Sequence, residues 1–166
     1  MGRAEDLGLP GWAHLPGVTP GADHAPLKAA KELVPLRFEA PPAADHPAIS
    51  YGIRLCDGGF YWEAHEVLEA VWMAAALNGR DRTALRAIIQ LANAGLKLRM
   101  GRPRAALRLL TETASLLDEV RPAAGASFAD VLDAPGLAAD VRALIGALAL
   151  GTSAAGLPQI SFRCAS

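Results

Sequence analysis

Residues 60–72 read FYWEAHEVLEAVW, and this stretch decides the fold class. At 100° per residue its apolar side chains fall within one arc of about 140°, which is typical of an amphipathic helix packed on a core. The residues on this arc are Phe60, Tyr61, Ala64, Val67, Leu68, Val71, Trp72 and Ala75. The pattern predicts a helix from Phe60 to Leu77, closed by Asn78 and Gly79.

The same helical period continues between turn signals along most of the chain. It predicts a helix capped by Asp45 and ending at Cys56, a short arm helix over residues 27–34, and further helices over 81–100, 103–120, 128–132 and 137–150. Because the chain contains no runs of β-branched residues with a period of two, no sheet is predicted. The sequence therefore predicts an all-α, single-domain bundle of about five to six helices, mostly antiparallel.

The amino-terminal part differs in composition, since eight of the twelve prolines precede residue 48. Each proline fixes its own φ and restricts the residue before it, which excludes a long helix here. The segment still carries apolar side chains, so we predict a proline-rich extended arm over residues 1–45 that packs on the body and buries Trp12. The alternative is a disordered leader. The bundle domain is predicted over 46–150, followed by a carboxy-terminal tail over 151–166.

Composition limits the class of protein. With 52% hydrophobic and 20% charged residues and a net charge of −1, the chain is neither disordered throughout nor a general polyanion binder. Cys56 and Cys164 lie 108 positions apart without metal-binding spacing, so no disulfide framework is predicted and a reducing, cytoplasmic location is expected. The sequence predicts neither a secretory signal nor a membrane span.

The candidate site begins on the helix predicted from Phe60 to Leu77. His65 and Glu69 share one face at the edge of the apolar arc, so they can hydrogen-bond or hold one metal. Glu66 points away from the core and Glu63 sits near the opposite edge of the arc. The string HEVLE is close to the HExxH of zinc proteases, but Glu69 stands where the second histidine should be, so it is not a match.

The following helix carries a narrow polar stripe beside its apolar side. Amide side chains at helical spacing next to a core indicate a layer that satisfies a neighbouring helix. We therefore predict a polar cluster between the two helices. The stripe consists of Arg86, Gln90, Asn93 and Lys97. The predicted binding residues are Glu63, His65, Glu66, Glu69, Trp72, Gln90, Asn93 and Lys97.

The segment FYWEAHEVLEAVW, followed by IIQLANAGLKLRMGRPRAALRLL, resembles an uncharacterised bacterial and archaeal family called domain of unknown function 309. The resemblance covers about residues 46–120. The matching positions are Phe60, Glu63, His65, Glu66, Glu69 and Trp72, then Gln90, Lys97 and Gly101. Many members carry a histidine near the position of Lys97, so this chain has fewer candidate metal ligands. The resemblance implies an all-α fold of packed antiparallel helices and no established activity.

Three interpretations of His65 stay open: a structural histidine at the core edge, a binding or catalytic group, or a metal ligand. A zinc site needs a third protein ligand, and His14, His24 and His46 all lie in or beside the arm. A di-iron bundle would need a glutamate at position 62, which is Trp62. No cofactor is therefore predicted, and His65 and Glu69 are the remaining metal candidates.

Charge is unevenly distributed. From Arg80 to Arg108 there are eight basic residues and one acid, whereas Asp57 to Glu69 contains four acids and no base. Either the two helices complement each other, or the basic segment is a surface for phosphate, nucleic acid or an acidic partner. Nucleic acid is not predicted, because interleaved aromatics and nucleic-acid motifs are lacking.

Two function classes follow. The favoured one is a non-enzymatic module that binds a small molecule or a protein. The alternative is a small hydrolase-like enzyme that uses His65 as general base with Glu63, Glu66 or Glu69 nearby, or as part of a metal site. The discriminating observation is whether His65 is reachable from solvent beside Gln90 and Lys97, or is sealed behind Trp72.

Overall fold

The computed structural model describes residues 7–121, 123–151 and 156–161. These residues form seven helices: α1 (His24–Glu32), α2 (Pro47–Asp57), α3 (Tyr61–Ala74), α4 (Arg80–Arg99), α5 (Pro103–Glu119), α6 (Phe128–Val131) and α7 (Ala134–Ala149). In the described ranges the only β pairing is one isolated antiparallel bridge between Ala43 and Ser127. The predicted all-α fold is confirmed, with six helices in the bundle and one in the arm.

The helices pack in the order α2, α3, α4, α5 and α7, with α1 lying on α3 and α6 on α4. Two glycines permit close approach of the inner helices. A Cβ at Gly52 of α2 would lie 2.5 Å from the side chain of Leu68, and one at Gly95 of α4 would lie 2.8 Å from the ring of Tyr61. α3 is therefore held between α2 and α4. None of the described helices is both long and apolar enough to cross a bilayer.

Some helix boundaries differ from the prediction because they are set by side-chain caps rather than by the apolar period. Asp23 accepts a hydrogen bond from the amide of Ala25 and begins α1 at His24 rather than at residue 27. The ring nitrogen Nδ1 of His46, not Asp45, accepts from the amide of Ala48 at the start of α2.

Asp133 likewise accepts from the amide of Gly136 and begins α7 at Ala134, with Pro135 in the first turn. The sequence prediction began this helix only at residue 137. α3 is shorter than predicted at its other end, because it stops at Ala74 instead of Leu77.

The described part of the arm packs on the bundle. Leu27 and Ala30 of α1 are buried in the core, and the amide of Phe38 donates to the carbonyl of Ala74. The predicted burial of Trp12 is wrong, since this residue is 47% exposed. Its indole N–H donates to the carbonyl of Gly21, so the polar end is satisfied within the arm's own loop while the ring lies at the surface.

The ends of the chain are described only in part. In the predicted tail, Ile160 is buried and its amide donates to Oδ1 of Asp57. Residues 1–6 of the arm, and 152–155 and 162–166 of the tail, lie outside the described residues. Cys164, on which part of the disulfide prediction rests, is among them. Cys56 is buried as a free thiol.

Candidate functional site

His65 lies on the flank of α3 beside Glu69. Its Nε2 is 3.6 Å from Oε2 of Glu69, which is too long for a hydrogen bond. Its Nδ1 is buried and has no hydrogen-bond partner among the residues that the structure describes. The side chain is 26% exposed, so Trp72 does not seal it from solvent.

Glu66, also on α3, contacts α1. Its Oε2 accepts a hydrogen bond from Nζ of Lys31 at 2.7 Å. His65, Glu66 and Glu69 each offer one ligand atom, and these three atoms lie within 4.8 Å of one another. We call these three residues the α3 flank. Lys31 was missed by sequence reasoning, because no pattern in the arm indicated which helix α1 would cover.

Glu63 belongs to a different side of α3. Two positions separate it from His65, which corresponds to about 200° around the helix. Its side chain is fully buried, and Oε1 accepts from the amide of His14 at 2.6 Å, whereas Oε2 has no partner. The ring of His14 also packs edge-on against Trp62, at 4.8 Å between centroids. The structure therefore places Glu63 under the arm and not in the α3 flank.

A second hydrogen bond fastens the arm next to this carboxylate. The hydroxyl of Tyr51 on α2 donates to the carbonyl of Gly8 at 2.8 Å. Burial raises the pKa of Tyr51 to about 12, so the phenol keeps the proton that it donates.

Trp72 lies at the carboxyl end of α3. Its indole Nε1 is buried without a partner, and the guanidinium of Arg82 covers its ring at 3.9 Å. Trp72 and Arg82 line a surface cavity of about 230 Å³ together with Thr83, Arg86 and Glu119, among other residues. Arg82 was singled out in the sequence only as part of the basic segment, and its contact with Trp72 was not foreseen.

The polar stripe of α4 turns toward α5. Glu112 accepts from Arg86 at 2.6 Å and from Gln90 at 2.9 Å, and Asn93 donates to Oε1 of Gln90 at 3.2 Å. In the described part of the chain, no hydrogen bond or ion pair joins Gln90, Asn93 or Lys97 to the α3 flank. The expected polar cluster between α3 and α4 is therefore corrected to one between α4 and α5. The spacing identified the polar side of α4, but α4 packs against both α3 and α5, and Gln90 donates to Glu112 on α5.

The buried polar atoms that lack a partner are concentrated on α3. Over the described residues they are Oε2 of Glu63, Nδ1 of His65 and Nε1 of Trp72. Buried polar groups in proteins are nearly all hydrogen-bonded, and each one left unsatisfied costs about 1–3 kcal/mol. α3 thus carries polar groups that its own fold does not satisfy.

The basic segment divides into two sets. Near the start of α4, Arg80 pairs with Asp130 and Arg86 with Glu112. At the α4–α5 turn, Arg99 covers the ring of Tyr61 at 5.1 Å. Four other basic residues at this turn make no ion pair within the described ranges, and we call them the basic turn. They are Lys97, Arg102, Arg104 and Arg108.

Nucleophilic side chains can be activated by His65 only if they contact its imidazole. Among the described residues, no serine, threonine or cysteine side chain hydrogen-bonds to the imidazole of His65. Cys56 is fully enclosed, and burial raises the pKa of its thiol, which keeps it protonated and unreactive.

Comparison with known proteins agrees with the motif in α3. Residues 49–109 match the model of the family described as Domain of unknown function (DUF309). The match runs from α2 into α5 and includes His65, Glu66 and Glu69. Neither a curated protein nor a solved structure matches the chain. This match confirms the resemblance inferred from the sequence: residues 49–109, less than half of the chain, are similar to the family described as Domain of unknown function (DUF309).

Proposed function

We propose that this protein is a ligand-binding module whose site is the α3 flank of His65, Glu66 and Glu69. The observation that carries the proposal is the unpartnered Nδ1 of His65, one of three buried polar atoms on α3 that have no partner among the described residues. Such atoms destabilise a fold, and residues that break the rules of stability are commonly those that serve function. Among these groups, His65 combines an unpartnered nitrogen with partial exposure and two neighbouring carboxylates.

The test is the effect of His65 on stability. Replacing the imidazole with an apolar side chain in His65→Leu removes an unsatisfied group, so the free energy of unfolding should rise by about 1 kcal/mol. For a domain of this size that corresponds to a rise of about 2–4 °C in Tm. The substitution also removes the contact between His65 and Glu69, whose atoms are 3.6 Å apart. This loss lowers the free energy of unfolding only slightly, because exposed pairs of this kind contribute about 0.3–0.5 kcal/mol.

The matched control is Gln90→Leu. Gln90 is also a half-buried polar residue, but it donates to Glu112 and accepts from Asn93, so its replacement should lower Tm. If His65→Leu lowers Tm as Gln90→Leu does, His65 is a structural residue and the proposal is wrong.

Binding is better supported than hydrolysis. A general base must reach the proton of a positioned nucleophile or water. No described hydroxyl or thiol hydrogen-bonds to His65, and Cys56 is enclosed in the core. The α3 flank instead places three possible ligand atoms, one from each of its residues, within 4.8 Å of one another.

A second candidate function rests on the basic turn. No aspartate or glutamate occurs between Arg82 and Thr111, and the four residues of the basic turn make no ion pair with any described residue. Arg102 and Arg104 flank the start of α5, where the helix dipole adds positive potential. We propose that this end recognises an acidic segment of a protein partner.

A further inference from the structure

We infer that the α3 flank binds one divalent first-row transition-metal ion through His65, Glu66 and Glu69, and that the metal displaces the ammonium of Lys31. This inference rests on the proposed function, because it names the ligand class of the same site. It adds Lys31, on a separate helix, as the group that competes with the ligand.

The spacing of the donor atoms suits a single ion. The three ligand atoms lie within 4.8 Å of one another. Zinc binds nitrogen and oxygen ligands at about 2.0–2.2 Å in a tetrahedral arrangement, so two ligand atoms of one ion are about 3.4 Å apart. All three side chains are partly exposed, so small rotations about their χ angles can close the remaining distance.

The donor types indicate which ions fit. One imidazole nitrogen and two carboxylate oxygens form a mixed set that suits Zn²⁺, Co²⁺, Mn²⁺ or Fe²⁺. Mg²⁺ and Ca²⁺ prefer oxygen ligands alone, so they should bind weakly here. Three protein ligands leave at least one coordination position for water or another ligand.

The imidazole of His65 supplies an independent observation. Nδ1 is buried without a partner and Nε2 is 3.6 Å from Oε2 of Glu69, so neither ring nitrogen makes a hydrogen bond to a described residue. A neutral imidazole has one donor and one acceptor nitrogen, and both are unused within the described chain. With the proton on Nδ1, the lone pair of Nε2 lies beside Glu69 and is available as a metal ligand.

Lys31 shows that the α3 flank attracts a cation. Its Nζ lies 2.7 Å from Oε2 of Glu66, and the two side chains come from different helices. With a neutral imidazole, the two carboxylates carry −2 and Lys31 neutralises only half of this charge. A divalent ion neutralises all of it and also uses the nitrogen of His65, which an ammonium cannot do.

The experiment measures metal binding to the full chain prepared without an affinity tag. Zn²⁺ and Co²⁺ are titrated by isothermal calorimetry, and the visible absorption of Co²⁺ reports its coordination. We expect one ion per chain. Loss of an outer-shell partner already weakens metal affinity by about 10–100-fold. His65→Gln and Glu69→Gln each remove a direct ligand and should therefore weaken binding at least tenfold.

Lys31 has a matched control on its own helix. Lys31→Met removes the competing ammonium and should tighten Zn²⁺ binding severalfold. Lys28→Met makes the same change at a residue that is 79% exposed and pairs with Glu32, so it should leave the affinity unchanged.

Three results would overturn the inference: no saturable Zn²⁺ or Co²⁺ binding, binding that is unaffected in His65→Gln, or no tightening in Lys31→Met relative to Lys28→Met. The Tm of His65→Leu is measured without metal, so the two proposals fail separately. A raised Tm with no metal binding refutes the metal site and leaves a binding module for another ligand. A lowered Tm refutes the argument from the unpartnered nitrogen.

Discussion

The guanidinium of Arg82 lies 3.9 Å from the centre of the Trp72 ring and caps the helix that carries this ring. Its Nη1 donates to the carbonyl of Trp72 at 2.6 Å and to that of Ala75 at 2.9 Å. The last carbonyls of a helix lack partners within the helix and form the negative end of its dipole. One side chain in the first turn of α4 therefore terminates α3.

Removal of this cap should destabilise the protein. Charge-assisted hydrogen bonds contribute about 1.5–3 kcal/mol each and a cation–π contact about 0.5–1 kcal/mol or more. Since these contributions overlap, we expect Arg82→Ala to lower the free energy of unfolding by about 2 kcal/mol. That corresponds to a loss of about 4–8 °C in Tm.

Arg82→Lys should recover only part of this loss, because an ammonium cannot stack flat on the indole while reaching two carbonyls. Arg104→Ala is the control, since Arg104 is exposed and makes no ion pair in the described part of the chain. Equal Tm values for Arg82→Ala and Arg104→Ala in thermal unfolding would contradict the capping role.

A second prediction concerns acid stability and the pair Arg80–Asp130. The hydrogen bond from Arg80 lowers the pKa of Asp130, and the hydroxyl and amide of Ser127 lower it further. A carboxyl whose pKa is lower in the folded state stabilises the fold above its unfolded pKa, about 3.9 for aspartate. This stabilisation is lost as the pH falls through the folded pKa.

The stability of the native protein should therefore drop between pH 5 and pH 3, and the drop should be smaller in Asp130→Asn. Asp118→Asn is the control, because Asp118 forms an exposed surface pair with Arg142 whereas the side chain of Asp130 is only 7% exposed. Urea unfolding at pH 3, 5 and 7 measures the effect. If Asp130→Asn loses as much stability at low pH as the native protein does, protonation of Asp130 does not contribute to this loss.

The period of apolar residues was sufficient to predict the helical fold, since every long helix of the bundle has an apolar stripe that is buried. Helix ends were harder to predict because they depend on single polar contacts. The cap of α1 by Asp23 is local and could have been read from the sequence. The early end of α3 could not, since it depends on Arg82 from the next helix.

The candidate site, too, was predictable only where it depends on the spacing within one helix. Spacing on one helix placed His65 beside Glu69, because positions four apart on a helix are always neighbours. It could not show which helix would face each polar stripe. Gln90 therefore pairs with Glu112 rather than with α3, and Lys31 arrives from the arm. The only sequence signal for Glu112 is that it is the first acid after a long basic stretch.

The last prediction tests the basic turn with an acidic partner. A fluorescently labelled polyglutamate peptide serves as the probe, and its binding is measured by anisotropy over a range of salt concentrations. We expect binding at low salt that weakens as salt is added, because exposed charges are screened over about 10 Å at 0.1 M ionic strength. Arg108→Glu should weaken it severalfold, since the reversed charge repels the peptide.

Arg37→Glu is the matched control for this charge reversal. Arg37 is exposed, makes no ion pair within the described ranges and lies in the arm rather than at the α4–α5 turn. Both variants change the net charge from −1 to −3, so a general charge effect would weaken binding equally in the two. Only a site at the basic turn makes Arg108→Glu the more harmful change. If single-stranded nucleic acid binds more tightly than polyglutamate at equal ionic strength, the acidic protein segment is the wrong partner class.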